Sequence, residues 1–199
     1  MSLRQVMKPH SEVNYILWKS NFKFSNKKVE DISTFLNNNN ILSSCYTTYN
    51  TNILYDGMVE FYSIIHETLM KKLGLYHRSK YEWHFWMQMY NNSTDGHLEH
   101  DHFSGREFLS WVHFIKTPDQ KCFYFVDSEG NKVYPDTQND GDFICFPSWV
   151  YHGVDKVVEG NTNRIVSAGN ISICSLETDL HRVEANCFSN TTLWLKVKK

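Results

Sequence analysis

The sequence lacks several features that would place it in a specialised class of protein. Its five cysteines are widely spaced and form no Cys-x-x-Cys pair, so neither a disulfide framework nor a cysteine zinc site is indicated. No apolar run approaches the length needed to cross a bilayer, and the first residues do not have the pattern of a signal peptide. Reduced thiols and the missing leader together predict a cytoplasmic protein.

An excess of charge of either sign is also missing. The 199 residues carry a formal net charge of −2 with histidine neutral, so no basic surface for nucleic acid or for an anionic membrane is indicated. Hydrophobic residues make up 41% of the chain and aromatic residues 15%, which is typical of a folded globular protein. Since no long linker divides the chain, we expect a single domain over residues 1–199.

Two amphipathic helices are predicted in the first eighty residues, and strands after them. Apolar residues recur at helical spacing from near Ser25 to the asparagine tract 37–40, and again over about 52–73, with Gly74 closing the second helix. From Tyr81 onward, short aromatic-rich segments alternate with Gly, Pro, Asn and Asp. The predicted strands cover residues 81–90, 108–116, 123–127, 143–146, 153–158, 164–173 and 193–197.

Helices followed by many short strands predict an α+β fold. The specific expectation is a double-stranded β-helix, a cupin-like jelly roll, with the N-terminal helices packed on one sheet. In this interpretation residues 1–80 are mainly helical support, and residues 81–199 form the jelly-roll core that carries the functional site.

The stretch DGHLEHDHFSG concentrates groups that can bind a metal ion. Two pairs in it have one residue between them, His97 with Glu99 and His100 with His102, and residues spaced in this way lie on one face of a strand. Three facial ligands with open positions opposite them are typical of non-haem Fe(II) oxygenases. His152, which follows a short apolar strand, is the best candidate for the third ligand.

Only one of the two pairs can hold the metal ion on a regular strand. Positions 97 and 99 point to one face and positions 100 and 102 to the other, so a β-bulge would be needed to bring both pairs inward. We expect His100 and His102 to be the ligands, with His97 and Glu99 as the alternative pair.

Arg164 is a candidate for binding an anion. It opens a predicted strand twelve residues beyond His152, and a guanidinium at that place could donate two parallel hydrogen bonds to a carboxylate.

The order of these residues resembles the Fe(II)/2-oxoglutarate-dependent oxygenase superfamily, and within it the prolyl-hydroxylase-like branch of small bacterial and phage proteins. The resemblance spans residues 81–173. Two departures are a third histidine where the superfamily usually has Asp or Glu, and a tryptophan where glycine is common. The matching motifs are His100-Asp101-His102, Ser110-Trp111, Gly141-Asp142, Phe146-Pro147-Ser148, His152-Gly153-Val154 and Arg164 with Asn170.

The resemblance implies an Fe(II)- and 2-oxoglutarate-dependent hydroxylase. Fe(II) would be held by His100, His102 and His152, with no catalytic residue beyond these ligands. The distal carboxylate of 2-oxoglutarate would meet Arg164, helped by a hydroxyl from Tyr90 or Ser167. Molecular oxygen is the further co-substrate and ascorbate a supporting reductant. The substrate, a small molecule or a peptidyl side chain, and the oligomeric state stay open.

Two other functions also stay open at this point. One is a metal-dependent cupin-type enzyme without 2-oxoglutarate, and the other is a non-enzymatic metal-binding jelly roll. Arg164 favours the 2-oxoglutarate enzyme, since a site without that cosubstrate has no use for the arginine. His113 is expected to be a hydrogen-bonded sheet residue. The side chains that either line an entrance or fill the core are Trp86, Trp111, Trp149 and Tyr151.

Overall fold

The computed structural model describes eight segments of the chain: residues 15–39, 46–49, 54–75, 80–103, 106–158, 163–175, 185–188 and 192–196. Predictions that fall between these segments, such as the end of the asparagine tract at Asn40 and the helix start at Asn52, lie outside the described residues. Cys122 and Cys145 are free thiols in the core; the side chains of the other three cysteines lie outside the described part.

Two helices are present among the described residues, α1 (Asn26–Asn38) and α2 (Met58–Lys72). The predicted start of α1 is confirmed, because the Ser25 hydroxyl accepts a hydrogen bond from the Lys28 N–H as an N-cap. Helix α2 starts later than predicted, since the left-handed Gly57 (φ 75°) directly precedes it. None of the described helices is long and apolar enough to span a membrane.

Twelve strands are described. They form two sheets, and most lie where the sequence predicted them. The strands that were not predicted are short or lie at sheet edges. The full series is β1 (Trp18–Asn21), β2 (Tyr46–Thr47), β3 (Lys80–Tyr90), β4 (His97–His100), β5 (Glu107–Lys116), β6 (Phe123–Val126), β7 (Lys132–Val133), β8 (Asp142–Pro147), β9 (His152–Val154), β10 (Arg164–Ser175), β11 (Ala185–Phe188) and β12 (Thr192–Lys196).

The two sheets have the arrangement of a jelly roll. The larger sheet runs β1-β8-β5-β10-β3-β12-β11, with β2 also paired to β3, and the smaller sheet runs β4-β9-β6-β7. All of the recorded pairings are antiparallel, with register shifts in β4 and β10. The predicted α+β jelly roll is therefore confirmed. The segment 1–80 is more than helical support, because β1 pairs with β8 and β2 with β3.

The larger sheet separates two layers of core. On its helix side, Ile32 and Leu36 of α1 and Tyr62 of α2 pack with Trp83 and Trp111. On its other side, the two sheets enclose a second cluster and the candidate site. Side chains on a strand alternate between the faces, so the odd positions of β3, β5 and β10 face the helices and the even positions face the smaller sheet.

The alternation also shows on which side of the larger sheet the indole of Trp111 lies. Trp111 is 1% exposed and stacks on Phe143 with ring centroids 5.1 Å apart. Its cross-strand partner is Gly169, where a Cβ atom would come within 2.6 Å of the indole. Trp111 therefore fills the core on the helix side, and the missing side chain of Gly169 makes room for it.

His113 is a fully buried histidine whose two ring nitrogens are satisfied. Nε2 lies 3.0 Å from the carbonyl oxygen of Phe22, and Nδ1 lies 2.9 Å from the hydroxyl of Tyr62. Because a carbonyl can only accept, Nε2 donates and Nδ1 accepts from the tyrosine. Burial is the main reason that the pKa of His113 falls to about 4. The expectation of a hydrogen-bonded sheet histidine is confirmed.

This low pKa predicts that His113 makes stability depend on pH. The imidazole stays neutral in the folded state and titrates near 6.5 when unfolded, so the unfolded state binds more protons between these values. The contribution of His113 is complete above pH 6.5 and is lost as the pH falls toward 4, by up to about 3 kcal/mol. Urea unfolding of the parent and of His113→Gln at pH 7.5 and pH 5 would show a smaller acid loss in the variant. An equal loss in both proteins would contradict the assignment.

Candidate metal centre

The pairing of β4 with β9 brings two of the candidate ligands face to face. His100 lies directly opposite His152, and His97 lies opposite Val154. The register shifts between His97 and His100, which is the bulge that the sequence argument required for both residues to face inward. Both side chains consequently line the cavity between the sheets, whereas Glu99 is exposed and does not line it.

Three imidazoles converge at this point. The ligand atoms of His100, His102 and His152 all lie within 4.8 Å of one another. The ring centroids are separated by 4.5 Å for His100 and His152, 4.9 Å for His100 and His102, and 5.1 Å for His102 and His152. Among the described residues, these three are the set that could hold a metal ion. The alternative set with His97 and Glu99 does not come together.

Backbone carbonyls orient two of the three rings. His152 Nδ1 lies 2.9 Å from the Val150 oxygen, and His100 Nδ1 lies 2.7 Å from the Leu98 oxygen. A carbonyl can only accept, so Nδ1 carries the proton in both rings and Nε2 keeps its lone pair. In metal-binding histidines, the ring nitrogen that does not bind the metal usually donates a hydrogen bond of this kind, which fixes the orientation of the ring.

The residues after β8 hold the third ring in place. The His102 N–H donates to the Ser148 carbonyl at 2.8 Å. Ser148 is itself anchored to β5, because its hydroxyl donates to the Glu107 carbonyl at 2.6 Å and its N–H donates to the Phe108 carbonyl at 3.1 Å. Ser148 of the Phe-Pro-Ser sequence therefore connects the backbone at His102 to β5 and positions His102 beside the other two histidines.

Burial favours the neutral, metal-binding form of two candidate ligands, His102 and His152. Burial, followed by the effect of neighbouring imidazoles, lowers the pKa of His102 to about 3, and it lowers the pKa of His152 well below the usual value. The pKa of His97 falls to about 4 for the same reasons, with Arg164 as a further cause. Neutral imidazole is the ligand form, and three nitrogen donors suit Fe, Zn, Cu or Ni.

Arg164 opens into the same cavity as the three histidines. It is 2% exposed, and its Nη1 has no hydrogen-bond partner among the described residues. The guanidinium lies over the ring of Tyr90 at 5.1 Å and near Phe114 at 5.8 Å. Burial lowers its pKa, but an arginine in a protein stays charged. No described carboxylate lines this cavity, so the charge is not neutralised there.

Tyr90 and Ser167 differ in position. Tyr90 lines the cavity and donates its hydroxyl proton to Gln88 Oε1 at 2.9 Å. Ser167 occupies an odd position of β10 and donates to the Trp86 carbonyl at 3.0 Å. It is not among the residues that line the cavity with Arg164. We therefore leave Ser167 out of the proposed site, because the alternation of β10 directs it toward the helices.

Sequence reasoning placed some of the remaining lining residues and missed others. Of the aromatic residues left open, Trp86 lines the cavity, and Trp111 also borders it although its indole belongs to the core on the helix side. Trp149 packs against the core between the sheets, and Tyr151 is half-buried. Gln88 was not predicted as a lining residue. The sequence did contain this information, because positions 86, 88 and 90 alternate along one strand and therefore share a face.

Comparison with known proteins gives matches at the level of structure only. No family model matches the sequence, and no curated protein does. A prolyl-4-hydroxylase of Pseudomonas putida superposes with a TM-score of 0.55 at 12% identity, over 78% of this chain and 91% of that one. The non-haem, α-ketoglutarate-dependent carbocyclase SnoK of nogalamycin biosynthesis gives 0.57 at 8% identity, over 77% and 79%. The epimerase SnoN, solved with Fe3+, α-ketoglutarate and nogalamycin RO, gives 0.52 at 10% identity, over 87% and 89%.

These matches define the class of fold. The chain has the double-stranded β-helix fold of the 2-oxoglutarate- and Fe(II)-dependent oxygenases, as the sequence resemblance implied. At these identities the likeness concerns the fold, so the assignment of ligands and of chemistry rests on the side chains of this chain.

The geometry predicts which substitutions remove the metal ion. His152→Ala should abolish stoichiometric binding of Fe(II) or Co(II), because it removes the most deeply buried of the three donors. His97→Ala is the matched control and should keep one metal ion per chain, since His97 is not part of the converging set. Anaerobic equilibrium dialysis with metal analysis would measure both. Loss of metal in His97→Ala together with retention in His100→Ala would instead support a site built from His97, Glu99 and His152.

Proposed function

We propose that this protein is an Fe(II)- and 2-oxoglutarate-dependent oxygenase that hydroxylates its substrate. The observation that carries the proposal is the meeting of two features in one cavity. Three imidazole nitrogens converge at it, and the buried guanidinium of Arg164, whose Nη1 has no hydrogen-bond partner among the described residues, opens into it from β10.

The buried charge of Arg164 is what selects this function over the alternatives. Burying a charged group without a partner costs several kcal/mol, on the order of 3–5 when one partner of a buried pair is missing. Since no described carboxylate lines the cavity, an anion from outside the chain is the missing partner. In a cupin-type enzyme without cosubstrate, or in a metal-storage protein, the buried charge of Arg164 would destabilise the fold and no ligand would neutralise it.

2-Oxoglutarate satisfies both features. Its keto-acid end can chelate a metal ion on the three histidines, and its distal carboxylate can accept two parallel hydrogen bonds from a guanidinium. The guanidinium lies over the rings of Tyr90 and Phe114, and its Nη1, which has no partner among the described residues, is available to the carboxylate. The protein thereby binds the cosubstrate at both ends and fixes its direction in the cavity.

The remaining chemistry comes from the bound groups. Fe(II) with 2-oxoglutarate and oxygen supplies an oxidising reaction that couples decarboxylation to hydroxylation of a C–H bond. The chain would hold the metal ion through His100, His102 and His152, and three protein ligands would leave positions for the cosubstrate and oxygen. It also contributes apolar walls that exclude water from the reacting centre. Those walls include Phe123, Phe146 and Val166.

The role of Arg164 can be separated from a structural role. Arg164→Met should lose most of the affinity for 2-oxoglutarate, about 2–5 kcal/mol, while metal binding persists. The same variant should be as stable as the parent or more stable, because methionine removes an uncompensated buried charge. Anaerobic titration of 2-oxoglutarate into the Fe(II) protein would follow the metal-to-ligand absorption band, and urea unfolding would measure stability.

Arg106→Met is the matched control for this experiment, because Arg106 is exposed and does not line the cavity. It should leave the 2-oxoglutarate midpoint unchanged. An unchanged midpoint in Arg164→Met would remove the arginine from the site. Absence of any absorption band in the parent, with Fe(II) bound, would refute the proposed function. Succinate formation with ascorbate present as a reductant then measures turnover.

The three-histidine ligand set predicts that metal and cosubstrate stabilise each other's binding. Neutral ligands leave the full +2 charge of the metal beside Arg164, so the dianion should raise metal affinity by about 10- to 100-fold. His102→Asp supplies one negative charge and should bind Fe(II) more tightly alone, with a smaller increase on adding 2-oxoglutarate. Metal affinities measured by competition with a chromophoric chelator would test this. Equal affinities with and without 2-oxoglutarate would contradict it.

A further inference from the structure

A second, wider cavity adjoins the metal centre. Its volume is about 420 Å³, and His97, His100 and His102 belong to its wall as well as to the wall of the inner cavity. Molecules in the outer cavity therefore lie next to the proposed metal ligands. Trp86, Gln88 and Tyr90 also line both cavities, whereas Arg164 lines only the inner one and Asn170 only the outer one. A cosubstrate at Arg164 and a substrate at Asn170 would therefore lie side by side.

Two carboxamide side chains in this wall have their oxygens already occupied. Gln88 Oε1 accepts from the Tyr90 hydroxyl at 2.9 Å, and Asn170 Oδ1 accepts from the Ser110 hydroxyl at 2.9 Å. Each bond fixes the amide plane from inside the fold. The two NH2 groups have no acceptor among the described residues, so the outer cavity offers them as oriented donors.

The wall offers donors but no positive charge. No lysine or arginine lines the outer cavity among the described residues. The histidines that hold the metal are neutral in that role, and the +2 charge of Fe(II) would be balanced by the 2-oxoglutarate dianion, so the proposed centre would offer no net positive charge to the outer cavity. Asp95 is the one carboxylate in the described wall, and it lies at the rim with 90% of its side chain exposed, 3.6 Å from Lys156. An anionic ligand at the rim would meet Asp95, whose exposed ion pair with Lys156 offsets its charge only weakly, whereas a neutral acceptor would meet the two amides.

Aromatic side chains form one part of the wall of the outer cavity. Tyr49 and Trp86 meet with ring centroids 5.2 Å apart at an interplanar angle of 73°, and His84 stacks beside Trp86 at 5.6 Å. Two aromatic faces at a steep angle suit a ring or another planar group. The polar and apolar features are therefore on one wall, within a cavity of the size that small ligands fill.

We propose that the outer cavity is the substrate subsite, and that it takes an uncharged molecule or side chain whose carbonyl or amide oxygens accept hydrogen bonds from Gln88 and Asn170 while its planar part packs on Trp86. This assignment rests on the proposed function in one respect, since it calls the occupant a substrate. It excludes carboxylated and phosphorylated groups from this position.

Matched pairs of probes test the proposal directly. The pairs are nicotinamide and nicotinate, benzamide and benzoate, and thymidine and thymidine monophosphate, each titrated at millimolar concentration with detection by saturation-transfer NMR. In the parent protein the neutral member of a pair should bind at least about tenfold more tightly than its anionic partner. Gln88→Met and Asn170→Leu, which keep the approximate size but remove the whole carboxamide, should each weaken the neutral member by about three- to tenfold.

Asp95→Asn separates electrostatics from folding, because this exposed position is not expected to affect stability. It should strengthen the anionic members by about two- to fivefold and leave the neutral members unchanged. Asp119→Asn, at another exposed acid, is the matched control and should change neither. Equal or tighter binding of the anionic members overturns the proposal, and so does the failure of every neutral member to bind the folded parent.

The same preparation should be titrated with Fe(II) and 2-oxoglutarate in parallel. Loss of the absorption band with a retained preference for neutral probes would refute the oxygenase function while leaving the binding preference of the cavity. A normal band with no preference for neutral probes would refute the subsite alone.

Discussion

The antiparallel pairing of β4 with β9 is the constraint on which the site depends. It places His100 opposite His152, and the carbonyls of Leu98 and Val150 then turn both rings so that Nε2 faces the cavity. The chain leaves β4 after His100, and the Ser148 carbonyl captures the His102 N–H. The three candidate ligands are thus held by hydrogen bonds to backbone carbonyls.

The buried charge of Arg164 lowers the stability of the fold. A buried guanidinium with an unpaired Nη1 reduces stability unless an anion pairs with it, as the proposed cosubstrate would. The rest of the domain offsets this cost through its aromatic core, in which Trp83, Phe85 and Trp111 pack against α2. The larger sheet also separates His113 from the candidate metal centre. His113 lies on the helix side, where both of its ring nitrogens have hydrogen-bond partners.

The sequence predicted the elements whose patterns are regular, and it missed those that depend on tertiary pairing. Strands such as β3 and β5 alternate long enough to be recognised, but β4 is four residues long and exposed at three of them. Its bulge brings His97 and His100 to one side, which strict alternation forbids. Alternation did contain the information that Ser167 faces away from Arg164, because the two positions differ in parity. The lack of a carboxylate among the described residues that line the cavity with Arg164 depends on the tertiary structure, and no sequence spacing reveals it.

The most direct test of the account is a crystal structure of the protein grown anaerobically with Fe(II) and 2-oxoglutarate. The account predicts one metal ion about 2 Å from the Nε2 atoms of His100, His102 and His152, with the distal carboxylate of the cosubstrate hydrogen-bonded to Arg164. A metal ion bound to His97 or Glu99, or a carboxylate that avoids the guanidinium, would contradict it.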